Sequence, residues 1–202
     1  MNIAVFVSGR GSNLHAILNS AELEALCRIS VVCSDKLDCH AFQIAHQYNI
    51  PFFSVSESKK NGFVTFQMLP SIFAEKQIEL IVLAGFLKLI PKDFIGTFPF
   101  KIINIHPALL PSFGGKGMYG NRVHEAVFKS SAKVSGATVH FVNENYDEGL
   151  IIDQAAVSIA DANSAEEIAQ RVLILEHALL PSVIAKIAQR KIEIKNNRVY
   201  LI

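Results

Sequence analysis

The side chains of this sequence best placed to do chemistry are an amide and an imidazole two residues apart, Asn104 and His106. They lie at the end of an apolar run, Lys101–Ile105, that is typical of a buried β-strand. Alternate residues of a strand share one face, so the two side chains point the same way, about 7 Å apart along the chain. Pro107 disfavours a helical backbone at His106 and ends the hydrogen-bonded run. A structural core histidine usually sits alone, so the neighbouring amide favours a catalytic pair.

A second candidate site follows the first predicted strand, in the segment Ser8-Gly-Arg-Gly-Ser-Asn13, where a helix begins at once. Glycines let the backbone approach an anion, and the N–H groups at the start of a helix favour negative charge. Ser12 and Asn13 add side-chain donors, which favours a phosphate site. Taken alone, the segment fits an ordinary strand-to-helix turn capped by Ser12 equally well.

A nicotinamide-dinucleotide site is the main rival interpretation of this loop, because Gly9-x-Gly11 matches the first half of that fingerprint. The third glycine is missing, and Leu14 at that position would crowd the close approach of helix and strand. Asp35 lies at about the right distance for a ribose-binding acid, so the rival stays open. The segment fits the phosphate of a single phosphomonoester better than it fits a dinucleotide.

The fold predicted to position these side chains is α/β, with a Rossmann-like, doubly wound, mostly parallel sheet. Short apolar runs alternate with amphipathic runs in the first half of the chain, as parallel βαβ units require. The predicted strands are Ile3–Val7, Ile29–Cys33, Phe52–Val55, Leu80–Leu83 and Lys101–Ile105, and the predicted helices lie near Ser12–Leu26, Cys39–Tyr48 and Asn61–Lys76. Ligands of such sheets bind beyond the carboxyl ends of the strands, where Asn104 and His106 lie.

The second half of the chain is predicted to carry antiparallel strands and a long helix. Its predicted elements are a glycine-rich loop over Ser112–Asn121, a helix over Val123–Lys129, paired strands at Ala137–Val142 and Ile151–Ile159, and a closing hairpin of Ile192–Ile194 with Val199–Leu201. The sequence Ser164-Ala-Glu-Glu167 fits a capping box that opens a helix running towards Arg190. Pro181 is expected to kink or interrupt that helix.

Length and composition limit the classes of protein that fit. The 202 residues, with a net charge of +1, fit one domain, 1–202, made of a phosphate-binding half, 1–106, and a second half, 107–202. Near-neutral charge argues against nucleic acid as the main partner. The three cysteines lack C-x-x-C spacing, so they predict a reduced protein without a metal site. No signal sequence or membrane-length apolar run is recognised, which predicts a cytoplasmic protein. The oligomeric state expected is a monomer or a homodimer.

Three separated segments together resemble the phosphoribosylglycinamide formyltransferases, the folate-dependent enzymes of purine biosynthesis. The segments are Ser8-Gly-Arg-Gly-Ser-Asn13, Asn104-Ile-His-Pro-Ala-Leu-Leu-Pro111 and His140-Phe-Val-Asn-Glu-Asn-Tyr-Asp-Glu-Gly149. The resemblance extends over nearly the whole chain and includes Leu83-Ala-Gly-Phe-Leu-Lys-Leu-Ile90 and Glu176-His-Ala. The central Asn-x-His-Pro is shared by several formyltransferases, whereas the N-terminal Gly-Ser-Asn indicates this acceptor.

The resemblance implies transfer of a formyl group from 10-formyltetrahydrofolate to the primary amine of glycinamide ribonucleotide, with no metal. It implies substrate phosphate binding by Gly11, Ser12 and Asn13, and an acid near the ribosyl-glycinamide end at Glu176. It implies folate contacts from Asn104 and from two segments, Leu87, Lys88, Leu89 and Ile90, and Asn143, Glu144, Asn145, Tyr146 and Asp147. Lys59 and Lys60 lie where the family often places a basic residue for the folate tail, but a solvated pair is the better interpretation of them.

The residue types also suit this reaction chemically. Attack of an amine on a formyl group builds negative charge on oxygen, and Asn104 supplies a neutral N–H donor for it. His106 can move protons, and a carboxylate, Asp147, would favour its imidazolium form and fix the ring. His140 would order the same network. Asp147 also fits a turn residue before Gly149, His140 fits a structural strand residue, and Glu176 fits a solvated helix residue.

Two other functions stay open at this stage. The first is hydrolysis of 10-formyltetrahydrofolate at the same site, although hydrolases of this kind usually carry an additional N-terminal domain. The second is a folate- or nucleotide-binding module without turnover.

The loop Ser112–Asn121 lacks the histidine that other versions of this loop in the family carry soon after Leu-Leu-Pro. Its glycines favour a lid that excludes water from the formyl donor.

Overall fold

The strands of this protein fall into two units of the chain, Met1–Asn104 and Ile105–Ile202. The structure, a computed structural model, describes all 202 residues. The boundary lies two residues before the predicted division after residue 106. The assignment of 1–202 to one domain stays a prediction, and the units are described in turn.

Parallel strands build the first unit, as the alternating apolar and amphipathic runs predict. The strands are β1 (Asn2–Val7), β2 (Arg28–Ser34), β3 (Phe52–Ser56), β4 (Phe63–Thr65), β5 (Ile78–Leu83) and β6 (Ile102–His106), whose last two residues belong to the second unit. Their order is β4-β3-β2-β1-β5-β6, and every neighbouring pair is parallel. The order reverses at β1, which makes the sheet doubly wound and confirms the predicted fold class.

The helices of the first unit differ from the prediction in several places. They are α1 (Ser12–Leu18), α2 (Ala21–Glu24), α3 (Ala41–Gln47), α4 (Leu69–Glu75) and α5 (Lys92–Thr97). The single helix predicted over Ser12–Leu26 is wrong, because the amide of Asn19 donates to the carbonyl of His15 at 2.8 Å and α1 ends there. The helix predicted over Asn61–Lys76 is also wrong in its first part, where Phe63-Val-Thr65 forms β4.

Aromatic side chains form the core beneath the strands of the first unit. Phe6 of β1 is fully buried, and its ring contacts those of Phe66, Phe73, Phe86 and Phe94 at centroid distances of 5.3 to 6.5 Å. Burying rings of this size is the main favourable contribution to folding in such a layer. The carboxyl end of β1 is therefore held firmly where the loop at Ser8 begins.

The second unit contains the antiparallel strands and the long helix that the sequence predicts. Its elements are α6 (Asn121–Lys129), β7 (Val134–Phe141), β8 (Ile151–Ser158), α7 (Ala165–Ala188), β9 (Ile192–Lys195) and β10 (Arg198–Leu201). Strands β7 and β8 are antiparallel, and β9 and β10 form the predicted hairpin. Asn196 and Asn197 have φ values of 50° and 57°, which suit a two-residue turn between such strands.

Helix α7 begins at the predicted cap and continues through Pro181. The hydroxyl of Ser164 accepts from the Glu167 N–H at 3.3 Å, while the Glu167 carboxylate accepts from the Asn163 N–H at 2.9 Å. Pro181 was expected to kink or interrupt the helix; it does not interrupt it, since α7 runs to Ala188, and a kink at Pro181 stays a prediction. The expectation that no segment has membrane length was too strict: α7 is long and apolar enough, with a mean hydropathy of 1.4. Half of that window is buried, and α7 packs on β7, β8 and α6 as a core helix.

Candidate active site

The glycine-rich loop of the first unit joins β1 to α1. Gly11 is the residue before α1 and has a φ of +80°, a conformation that favours glycine. A Cβ on Gly11 would lie 2.8 Å from the Cβ of Ala41, so the loop packs closely on the start of α3. Gly9 is exposed, with open space where a Cβ would stand. The loop therefore presents open backbone on one side while its other side is fixed by packing.

Ser12 and Asn13 lie in the first turn of α1 rather than before it. Ser12 is exposed and Asn13 is buried, and no side chain caps the start of the helix. The interpretation of Ser12 as a helix cap is therefore wrong. Its hydroxyl faces solvent beside the open loop, where a ligand could reach it.

Ser8 ties this loop to the segment that follows β5. Its N–H donates to the carbonyl of Gly85 at 3.0 Å, and its hydroxyl oxygen accepts from the N–H of Leu87 at 2.9 Å. Leu87, Lys88 and Leu89 are exposed, while Ile90 is buried. The structure thus connects the predicted phosphate loop to the predicted folate segment through a serine side chain that the sequence analysis did not assign to the site.

A carboxylate between two imidazoles lies at the centre of the second unit. Asp147 Oδ2 is 3.5 Å from His106 Nδ1, and Asp147 Oδ1 is 3.6 Å from His140 Nε2. His106 and His140 are 3% and 2% exposed, so the three groups face one another with little water. The structure therefore brings together three of the four residues predicted to be catalytic. The fourth, Asn104, is half-buried on β6 and pairs in register with Leu83 of β5.

Backbone carbonyls fix the far side of each imidazole. His106 Nε2 lies 2.9 Å from the carbonyl oxygen of Phe113, and His140 Nδ1 lies 2.8 Å from that of Phe141. A carbonyl only accepts, so each of these nitrogens carries a proton and donates it. The remaining nitrogen of each ring faces Asp147.

Burial and neighbouring charges shift the pKa values of His106 and Asp147 in opposite directions. Burial lowers the pKa of His106 below its usual 6.5, although the Asp147 charge and the Phe113 carbonyl oppose the shift. Burial would raise the pKa of Asp147, but His140, His106 and the Gly115 N–H outweigh it and lower that pKa. At neutral pH His106 is thus neutral and Asp147 ionised. The expectation that a carboxylate favours the imidazolium form agrees with the direction in which the Asp147 charge shifts the pKa of His106, but burial has the larger effect and the net shift is downward.

The loop between β6 and α6 holds the cluster through its main chain. The Gly115 N–H donates to Asp147 Oδ2 at 2.9 Å, and Phe113 supplies the carbonyl at His106. A Cβ on Gly114 would lie 2.5 Å from a methyl of Leu110 and 3.1 Å from Asp147 Cβ. Only glycine fits at that position without a shift of its neighbours. The predicted loop is therefore part of the site, although its contacts come from backbone atoms.

The segment that ends at Asp147 turns sharply away from β7. Asp147 itself has a φ of +58°, and a Cβ on Gly149 would overlap the carbonyl of Phe141. Asp147 is thus a turn residue as well as a member of the cluster. Glu144, Asn145 and Tyr146 are exposed and Asn143 is half-buried, so this predicted folate segment lies at the surface.

Two further polar residues of the second unit, Glu176 and His124, are also buried. Glu176 on α7 is 9% exposed, which rules out the interpretation of a solvated helix residue. His124 on α6 is 6% exposed, and its Nδ1 has no hydrogen-bond partner. Burial, and then the charge of His106, lower the pKa of His124. The sequence carries no signal for His124, since it stands alone on an amphipathic helix.

Similarity to known proteins extends over most of the chain. A family model described as formyl transferase matches residues 1–184. A chloroplastic phosphoribosylglycinamide formyltransferase of Arabidopsis thaliana is 39% identical over 99% of this chain and 70% of its own length. The enzyme of that name from Bacillus subtilis is 37% identical over 91% of this chain and 93% of its own length.

Solved structures give the same result. A phosphoribosylglycinamide formyltransferase from Anaplasma phagocytophilum superposes with a TM-score of 0.88 at 36% identity, covering 99% of this chain and 92% of that one. These relatives span both units of the chain, so the likeness is not confined to the sheet. The chain therefore belongs to the formyl transferase family, and within it to the phosphoribosylglycinamide formyltransferases.

Proposed function

We propose that the cluster of His106, Asp147 and His140 moves the protons in a formyl transfer from 10-formyltetrahydrofolate to the primary amine of 5-phosphoribosylglycinamide. The products are 5-phosphoribosyl-N-formylglycinamide and tetrahydrofolate. The observation that carries the proposal is the buried imidazole of His106, whose Nδ1 lies 3.5 Å from the Asp147 carboxylate and whose pKa is lowered by burial. Such a pair can take up a proton and then release it within one turnover.

The reaction needs one bond formed, one bond broken and one proton moved. The amine nitrogen attacks the formyl carbon, and Asn104 donates a hydrogen bond to the oxygen that becomes negative. Neutral His106 takes the proton that the attacking nitrogen loses, and Asp147 stabilises the imidazolium. His106 then gives the proton to the folate nitrogen as the bond from that nitrogen to the formyl carbon breaks. His140 holds Asp147 in place from its other oxygen.

The remaining predicted residues bind the two substrates in this proposal. Gly11, Ser12 and Asn13 hold the phosphate, and Glu176 meets the ribosyl-glycinamide end of the acceptor. The folate donor contacts Asn104 together with Leu87, Lys88, Leu89 and Ile90, and with Asn143, Glu144, Asn145, Tyr146 and Asp147. The open backbone at Gly9 and the exposed hydroxyl of Ser12 support the phosphate assignment.

Replacing Ser12 with alanine is expected to raise the KM for 5-phosphoribosylglycinamide about tenfold and to leave kcat within about twofold. A hydrogen bond to a charged group contributes about 1.5–3 kcal/mol, and this one would exist before and during the chemical step. Steady-state kinetics with the acceptor varied provide the measurement. Ser20→Ala is the matched control, because Ser20 precedes α2 and its hydroxyl makes no cap bond. An unchanged acceptor KM in Ser12→Ala would remove Ser12 from the phosphate site.

The assignments of assembly and location are also proposals. A monomer or homodimer in the cytoplasm, acting on small molecules without nucleic acid or a membrane, fits the near-neutral charge. No group of three or more His, Cys, Asp or Glu side chains is arranged to hold a metal ion.

The function is tested by following the folate absorbance of purified protein with 10-formyltetrahydrofolate, with and without 5-phosphoribosylglycinamide. The proposal predicts an absorbance change that requires both substrates. A change with the donor alone would instead indicate a hydrolase. No change in either mixture would leave a binding module.

A further inference from the structure

We propose that Ser8 is a positioning residue for the folate donor: its hydroxyl oxygen fixes the backbone of the Leu87–Ile90 segment. The inference rests on the proposed function, in which that segment contacts folate. Ser8 is 1% exposed and lies directly before the glycine-rich loop. Its role would be to hold the donor segment from the carboxyl end of β1, without touching either substrate.

Strand pairing alone does not hold the donor segment in place. Strand β5 ends at Leu83, and the last ladder bond beyond it runs from the Ala84 N–H to the Phe6 carbonyl at 2.8 Å. The next two contacts both involve Ser8, whose N–H donates to Gly85 at 3.0 Å and whose hydroxyl accepts from Leu87 at 2.9 Å. Gly85 has a φ of +78°, so the chain turns between these two bonds. The side chain of Ser8 therefore continues the attachment where the backbone ladder stops.

The position of Leu87 matters because the segment presents apolar side chains to solvent. Leu87 and Leu89 are 43% and 40% exposed, whereas Ile90 is 3% exposed and anchors the other end. A flat aromatic ligand covering the two leucines would gain affinity from the apolar area removed from water. That gain depends on the segment keeping its shape, because ordering a loose loop on binding costs conformational entropy. Ser8 and Ile90 fix the two ends.

Loss of the Ser8 oxygen should therefore weaken donor binding selectively. In Ser8→Ala we expect the Kd for tetrahydrofolate, measured by calorimetry without acceptor, to rise about tenfold, as loss of a hydrogen bond to a partly buried N–H predicts. The KM for 5-phosphoribosylglycinamide should stay within about twofold. Ser8→Cys, similar in size with a weakly accepting sulfur, should give an intermediate Kd.

Ser34→Ala is the matched control. Ser34 is fully buried at the carboxyl end of the neighbouring strand β2, and its hydroxyl likewise accepts a backbone N–H, that of Lys36, at 3.3 Å. It lies away from the donor segment, so its loss should lower the melting temperature without changing the tetrahydrofolate Kd. If Ser8→Ala and Ser34→Ala change the Kd equally, Ser8 is merely structural and the inference fails.

Hydrogen exchange gives a second measurement, and its first part uses only the unaltered protein. The Leu87 amide of the unaltered protein should exchange slowly, and much faster in Ser8→Ala. Exchange of Leu87 in the unaltered protein at the rate of an exposed amide would overturn the inference. Because neither the Kd nor the exchange rate requires turnover, failure of the proposed reaction is distinguishable from failure of the role of Ser8.

Discussion

Replacing His106 with alanine is expected to lower kcat by about 10²–10⁴-fold, the usual contribution of a well-placed acid–base group. The buried imidazole is the group that takes the amine proton, and alanine offers no nitrogen to replace it. The KM values for both substrates should change by less than about threefold. Stopped-flow or steady-state measurement of the folate absorbance gives kcat directly.

The matched control for this variant is His46→Ala, since His46 is an exposed histidine in the last turn of α3. It should retain the kcat of the unaltered protein. Thermal unfolding of both variants separates loss of chemistry from loss of the fold. A kcat for His106→Ala within about threefold of the unaltered protein would show that His106 is not the proton carrier.

Replacing Asp147 with asparagine is expected to lower kcat by about 10²-fold, the lower end of the range for acid–base support. Asparagine keeps the shape and can still accept from the Gly115 N–H, but it cannot stabilise the His106 imidazolium. Asp153→Asn is the control, because Asp153 is a carboxylate of the same unit that pairs with Lys186 at 2.7 Å. It should leave kcat within about twofold.

The Asp147→Asn variant should also change the pH dependence of kcat in a defined direction. The reaction needs neutral His106, so kcat falls as the pH decreases through the pKa of His106, which lies below 6.5. The Asp147 charge raises that pKa, so removing the charge lowers it further. The acid limb of the kcat profile should therefore move to lower pH in Asp147→Asn. A limb that moves to higher pH, or does not move, would contradict the arrangement seen between His106 and Asp147.

Strand alternation, residue type and the family resemblance together predicted the polar part of this site. Asn104 and His106 follow from the period of two on an apolar strand, and Asp147 and His140 follow from the resemblance together with the chemistry of an imidazole. The prediction that these groups meet is confirmed for His106, Asp147 and His140. The sequence did not predict the opposing effect of burial on the pKa of His106, because it does not reveal how deeply a side chain is buried.

The contacts that the sequence could not predict are mostly made by main-chain atoms. Phe113 holds His106 through its carbonyl, and Gly115 holds Asp147 through its N–H. Every residue carries these groups, so no residue type marks them. The role of Ser8 was missed for a related reason. A serine beside a glycine-rich loop indicates a role in that loop, whereas the residue whose N–H it accepts, Leu87, is 79 residues away in the sequence.

Local competition explains the errors in the helices. The apolar periodicity of Ser12–Leu26 fits one helix. The Asn19 side chain, however, donates a hydrogen bond to the His15 carbonyl, and α1 ends at Leu18. The short strand β4 was hidden inside an amphipathic run, and α5 has only six residues, too few to show a period. The strands were predicted more accurately, because apolar runs buried on both faces stand out in the sequence.

The most direct test of the central claim follows the formyl carbon itself. Donor labelled with ¹³C in the formyl group is mixed with the protein and 5-phosphoribosylglycinamide, and the products are observed by NMR. The account predicts that the label appears in an N-formyl amide of the acceptor and that His106→Ala slows its appearance about 10²–10⁴-fold. Label released as formate, or transfer that proceeds equally fast in His106→Ala, would contradict it.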